Sequence, residues 1–310
     1  MYEQYIEKFF TEENVSEEET YENLFNKLEN YNVHMLDWNE NDLEKFIISM
    51  SSVSVNTLNK YIQFLRDFYK FVCKQEDKIP KDLKVKKELK DCIDFEELKR
   101  RTINQKDYKT LRELLIVEDN GYRYNFRDAC ILVLASSAHC TNTEIKNLMK
   151  SDIKFYKLAG REICRINLKN RFEIIEDKEE IDIIKRTIIE EHYYMSENAK
   201  KKNHFIILKS SPALIRPVAT RQSENKTVAN PSEILKKQLT KLGTIPGTNI
   251  FAGDISLEDV VRSKKIELLR RKDITTNDIK NISGKSSECD LYWLQNLAVM
   301  FQREEKSKMI

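Results

Sequence analysis

Glycine and proline are scarce, with 6 and 5 residues in a chain of 310. A sandwich or barrel built on many tight turns needs more of both. Their shortage argues against that class and for a mostly helical protein. Long apolar runs are missing too. The most apolar stretch, Ala129–Ala135, falls far short of the roughly 20 residues that cross a bilayer. The opening segment Met1–Phe10 is charged, so no secretory leader is expected. Six cysteines, Cys73, Cys92, Cys130, Cys140, Cys164 and Cys289, include no C-x-x-C pair and no zinc-type spacing with histidine. Neither a metal nor another cofactor is expected, and the reading is a soluble protein of a reducing, cytoplasmic compartment. Only four histidines occur, none after His204.

What is present is charge and helical periodicity. Charged residues make up 34% and apolar ones 40%, enough for a sizeable core with solvated helix faces. The net charge is only +2, but its sign is unevenly spread. Residues 1–80 carry 8 Lys/Arg against 16 Asp/Glu, and the remainder 45 against 35. A basic body behind an acidic start is compatible with a polyanionic partner, and equally with a well-solvated surface.

Leu43, Phe46, Ile47 and Met50 fall at helical spacing, with Asn41 or Asp42 as cap. Val55–Phe71 reads as a helix whose apolar face holds Leu58, Tyr61, Leu65 and Phe68. Lys60, Arg66 and Lys70 lie off that face, toward solvent or phosphate. Past Pro80 the lysines Lys81, Lys84, Lys86, Lys87 and Lys90 crowd together, and Lys99–Arg101 close the stretch. This predicts a helical domain over 1–78, a basic linker over 79–101 and a second domain over 102–310.

In the second domain, helices are expected over Asp107–Val117 and over Phe126–Ala135, the latter buried on nearly all sides. Thr141-Asn-Thr-Glu144 before Ile145, Leu148 and Met149 is a capping box that opens another. Ile163–Leu168 and Phe172–Ile175 read as strands joined by Lys169-Asn170-Arg171, and Phe205–Leu208 as a further short strand. Ile181–Glu191, Ile234–Leu242 (ended by Gly243), Leu257–Arg271, Asn277–Ile282 and Leu291–Gln302 read as helices.

The run from Arg127 to Ile153, an apolar helix followed by Glu144, Leu148, Asp152 and Ile153, resembles the first box of the tyrosine recombinase (phage integrase) family. Ile282-Ser-Gly-Lys-Ser-Ser287 resembles that family's later Gly-His-Ser-Ser turn, with Lys285 in place of histidine. The resemblance implies a mainly α protein with a small β-sheet, in two domains. These are a helical core-binding domain and an α+β catalytic-like domain, together clamping double-stranded DNA.

In that family a tyrosine hydroxyl attacks a phosphodiester. Two arginines and a histidine hold the developing charge, and a hairpin lysine protonates the leaving oxygen. The first arginine position holds Thr141. In the segment matching the second box, Glu258 stands for the histidine and Val261 for the arginine, with Arg262 one residue late. One residue on a helix turns a side chain by about 100°. Tyr292 is two residues early for the nucleophile, and Lys169 matches the hairpin lysine.

From these losses the chain is expected not to be an enzyme, and its function to be that of a DNA-binding repressor. The size and the Lys/Glu/Asn/Ile-rich character are similar to the integrase-like master repressors of SPβ-type Bacillus prophages. That implies transcription regulation in lysogeny, at the nucleoid of a bacterial host. The alternatives are a divergent active integrase, or a recombinase-derived protein-interaction module. Expected DNA contacts are Lys60, Arg66, Lys70, Lys169, Arg171, Arg262, Lys264, Lys265 and Lys285. Expected partners are double-stranded DNA, a phage-encoded regulatory protein, and a second copy reached through the apolar stripe of Leu291–Gln302.

Overall fold

The computed structural model describes residues 2–12, 18–52, 54–116, 118–119, 122–123, 125–194, 201–202, 204–219, 229–271 and 294–302. The chain divides into two compact units, Met1–Arg100 and Arg101–Ile310.

The first unit holds α1 (Glu3–Glu12), α2 (Glu18–Glu29), α3 (Glu40–Ser49), α4 (Val55–Gln75) and α5 (Phe95–Arg100). Helix α3 starts earlier than the periodicity suggested, because Asn39 caps it reciprocally with Asp42. Helix α4 is capped by Ser54 and buries Leu58, Ile62, Leu65, Phe68 and Val72. The core is aromatic. Phe9 meets Phe64, Phe68 and Phe71 edge-on at 5.3–5.5 Å, and Tyr21 stacks on Phe64 at 3.7 Å.

Residues 83–93, within the stretch 79–101 expected as a basic linker, pack onto this unit. Leu83 and Cys92 are buried in its core, and Val85, Leu89 and Ile93 lie against it. Three lysines of the stretch meet carboxylates: Lys86 pairs with Glu40 at 2.6 Å, Lys84 with Asp82 and Lys90 with Glu88. Apolar residues interleaved among the lysines explain the docking, since each buries surface that a free linker would leave wet.

The second unit is built round α7 (Phe126–Ser136), which is buried along nearly its whole length. Packed about it are α6 (Gln105–Leu115), α8 (Asn142–Asn147), α9 (Lys178–Ile189), α10 (Pro231–Leu242) and α11 (Leu257–Leu269). A last helix, α12, spans 294–302. Gly243 ends α10 with φ 72°, a conformation that favours glycine.

Besides the two-residue ladders β1/β2 (Glu118–Asp119 with Tyr122–Arg123) and β6/β7 (His192–Tyr193 with Ile206–Ile207), there is a three-stranded antiparallel sheet. It consists of β3 (Ile153–Leu158), β4 (Arg161–Asn167) and β5 (Phe172–Ile175), in that order. Cys164 faces Phe155 and Ile175, and Ile166 faces Ile153 and Glu173, so one sheet face turns to the core. The expected architecture, mainly α with a small sheet, is therefore observed. Strand β3 was not anticipated. No described helix is long and apolar enough to cross a membrane. The segment 277–282, read as a helix, lies outside the described residues.

Candidate nucleic-acid interface

Thr141 caps α8 as its four-residue motif requires. Its N–H donates to Glu144 Oε2 at 2.8 Å, and the Glu144 N–H donates to Thr141 Oγ1 at 3.3 Å. A threonine here satisfies a helix end and holds no cation. The cation at this place comes from the β4–β5 hairpin instead. Arg171 forms an ion pair with Glu144, and its Nε donates to Glu173 Oε1 at 2.9 Å. Another of its N–H groups reaches the carbonyl of His139 at 3.3 Å.

The strand period makes this arrangement possible. Arg171 and Glu173 are two residues apart, on the core-facing side of the hairpin, where α8 begins. Burial tends to push the Glu144 carboxyl up, but its hydrogen bonds from Arg171 and Thr141 outweigh that and leave it below the ordinary carboxylate range. Burial raises Glu173.

His139 sits in this cluster with a left-handed backbone, φ 50°. It is buried, and neither ring nitrogen has a hydrogen-bond partner among the described residues. Burial, together with the positive charges of Lys264, Lys265 and Arg171, drives its pKa down to about 3. The imidazole is neutral at neutral pH, able to accept from one nitrogen and donate from the other.

Helix α11 carries the second-box segment. Ser256 caps it with Asp259, and Asp259 is buried. Arg262 pairs with Asp259 and is largely buried, and this desolvation lowers its pKa. Glu258 is exposed, and Val261 belongs to the core cluster. Lys264 reaches Glu267 Oε2 at 3.1 Å and Gln105 Oε1 at 3.4 Å.

The expected DNA contacts therefore divide. Lys60 and Lys70 are exposed on α4, and Lys169 is exposed at the hairpin tip, each without an ion-pair partner among the described residues. Arg66 is half-buried and donates to the Leu83 carbonyl at 3.2 Å. Arg171 and Arg262, expected as DNA contacts, are paired with carboxylates: Arg171 with Glu144 and Glu173, Arg262 with Asp259. Lys264 and Lys265 lie near His139, which no sequence pattern had singled out. The hint available was the spacing of Arg171, which ends the β4–β5 turn, two residues before Glu173 of β5. Lys285, Tyr292 and the turn around them fall outside the described residues.

The stripe expected to recruit a second copy is already occupied. Leu294, Leu297 and Ala298 are buried within the chain. Five described cysteines, Cys73, Cys92, Cys130, Cys140 and Cys164, are buried free thiols.

No family model and no curated protein sequence matches the chain. Solved structures do. XerA recombinase is 14% identical with a TM-score of 0.41, over 98% of this chain and 96% of that one. The Tn1549 transposon integrase in complex with transposon right-end DNA is 12% identical with a TM-score of 0.47, over 98% of each chain. XerH site-specific recombinase bound to a palindromic difH substrate is 14% identical with a TM-score of 0.48, over 94% of this chain and 79% of that one. These neighbours are named as recombinases and integrases, which are enzymes. The expectation that the chain is not an enzyme is corrected accordingly. The residues at positions 141, 258 and 261 describe what those positions hold and do not define a non-enzyme.

Proposed function

We propose that this protein binds double-stranded DNA on a recombinase-like scaffold and acts as a transcriptional repressor, of the kind that holds a prophage silent at the host nucleoid. The observation that carries the reading is the set of exposed lysines Lys60, Lys70 and Lys169, none of which has an ion-pair partner among the described residues. Lysines left without partners favour phosphate contact, where each displaces a condensed counterion.

Phosphate contacts position a protein on the duplex and need no reacting group. Arg171 and Glu144 support the reading indirectly, because their ion pair holds the hairpin that presents Lys169. A phage-encoded regulatory protein would then act by competing for, or remodelling, this DNA-bound state. The test is footprinting of the bound sites together with a promoter reporter. Protection of discrete sites and repression that is lost in the Lys60→Ala/Lys70→Ala/Lys169→Ala variant are expected. Uniform, site-independent protection without effect on any promoter would overturn the repressor reading.

A further inference from the structure

The outward face of the β3–β4–β5 sheet mixes exposed apolar side chains with basic ones. Side chains alternate across a strand, so the residues opposite the core-facing ones share the solvent face. Cross-strand pairing places Leu158 beside Arg161, Tyr156 beside Ile163, Arg165 between Lys154 and Ile174, and Asn167 beside Phe172. Four of these apolar side chains are open to solvent: Leu158 at 64%, Phe172 at 52%, Tyr156 at 48% and Ile174 at 45%. Contiguous exposed apolar surface on a folded unit marks a place where something docks.

The charges on this face are all of one sign. Lys154, Arg161 and Arg165 have no carboxylate within ion-pair distance among the described residues, whereas Lys185 on the opposite face is paired with Glu162 at 2.6 Å. Arg165 is held in place, its guanidinium 4.2 Å from the Phe172 ring centre and its Nε donating to Asn167 at 3.0 Å. A guanidinium fixed flat on a ring loses little side-chain freedom when it meets a carboxylate.

We infer that this face is a docking surface for an acidic protein segment that also carries apolar side chains. Carboxylates of the segment pair with Lys154, Arg161 and Arg165, and its apolar residues cover Leu158, Tyr156 and Ile174. Duplex DNA fits the cations but not the aliphatic side chains between them, since Leu158 and Ile174 would face phosphate and water. A second copy of the chain would have to bring an acidic surface to this basic one.

The test uses the full chain and a short fluorescein-labelled peptide rich in Glu, Leu and Phe, read by fluorescence anisotropy. A peptide with Lys in place of Glu serves as control. Micromolar binding of the acidic peptide is expected. It should weaken about tenfold or more in Leu158→Ser and in Arg161→Glu, and not occur with the basic peptide. Both positions are exposed, so the variants should keep the wild-type circular dichroism and wild-type affinity for duplex DNA. Equal peptide binding by wild type and both variants, or none to wild type, overturns the proposal. A loss of duplex affinity in the variants would make DNA the occupant. A sedimentation shift from dimer to monomer on Leu158→Ser would make it a second copy.

Discussion

The two units bury their interiors by different means. The first is closed by rings: Phe9, Phe25, Phe64, Phe68 and Phe71 meet edge-on, with Trp38 and Phe46 beyond them. The core of the second is largely aliphatic, and buried charge is threaded through it. Asp128 accepts from Arg127 Nε at 2.7 Å in the first turn of α7, and Glu180 accepts from Tyr108 at 2.7 Å and Ser137 at 2.9 Å. Ring packing is indifferent to pH and fails by leaving cavities. Buried charge fails when one partner is lost or when a proton moves. The second unit, with its buried charge, is therefore the pH-sensitive one.

The sharpest way to break this contrast is Phe68→Ala. It removes a ring in contact with Phe9 and Phe25 and should cost about 3–5 kcal/mol. Urea denaturation followed by tryptophan fluorescence of Trp38 reads it, and the loss should be the same at pH 5 and pH 8.

The counterpart in the second unit is Glu190, which accepts the N–H groups of Phe126 and Arg127 at 3.2 and 3.1 Å. Burial raises its carboxyl from 4.5 to about 7. A raised carboxylate favours the folded state fully below its unfolded value. That contribution fades as pH climbs from about 4.5 through about 7, a total of about 3 kcal/mol. Denaturation midpoints of the second unit should fall across that window, and Glu190→Gln should flatten the slope. An unchanged slope in Glu190→Gln would assign the pH dependence elsewhere.

Next in size is Tyr108→Phe, which takes one donor from the buried Glu180 and should destabilise by about 1–3 kcal/mol. Thermal unfolding checks it. A neutral effect would mean that Ser137 and Arg112 suffice to hold the carboxylate. The smallest effect is expected for Thr141→Ala. Loss of the α8 cap should cost about 1 kcal/mol, and duplex affinity should stay within a few-fold, since Thr141 supplies no cation. A large loss of duplex affinity would give Thr141 a direct role in binding DNA.

How much of this was readable from the chain depended on the range of each interaction. Helix α7 was legible because its apolar run is continuous, and the Thr141–Glu144 box because capping is settled within four residues. Strand β3 was missed: Lys154, Tyr156 and Lys157 give it no clean alternation, and its existence depends on pairing with β4. The docking of residues 83–93 was hidden behind its lysines; Lys86 meets Glu40 and Glu44, some forty residues upstream. At the site, the sequence marked Arg171 as a cation but could not show that Glu144, 27 residues earlier, neutralises it. His139 carries no local signature at all. Its character comes from burial and from charges on α11 brought near by the fold.

The central claim is phosphate-directed binding of duplex DNA, and one measurement meets it directly: affinity for a duplex carrying a footprinted site, followed by anisotropy from about 50 to 200 mM salt. The account predicts that log K falls linearly and steeply with log salt. The slope should become shallower by about one for each of Lys60→Ala, Lys70→Ala and Lys169→Ala. No binding at the lowest salt, or a slope that the three substitutions leave unchanged, would contradict it.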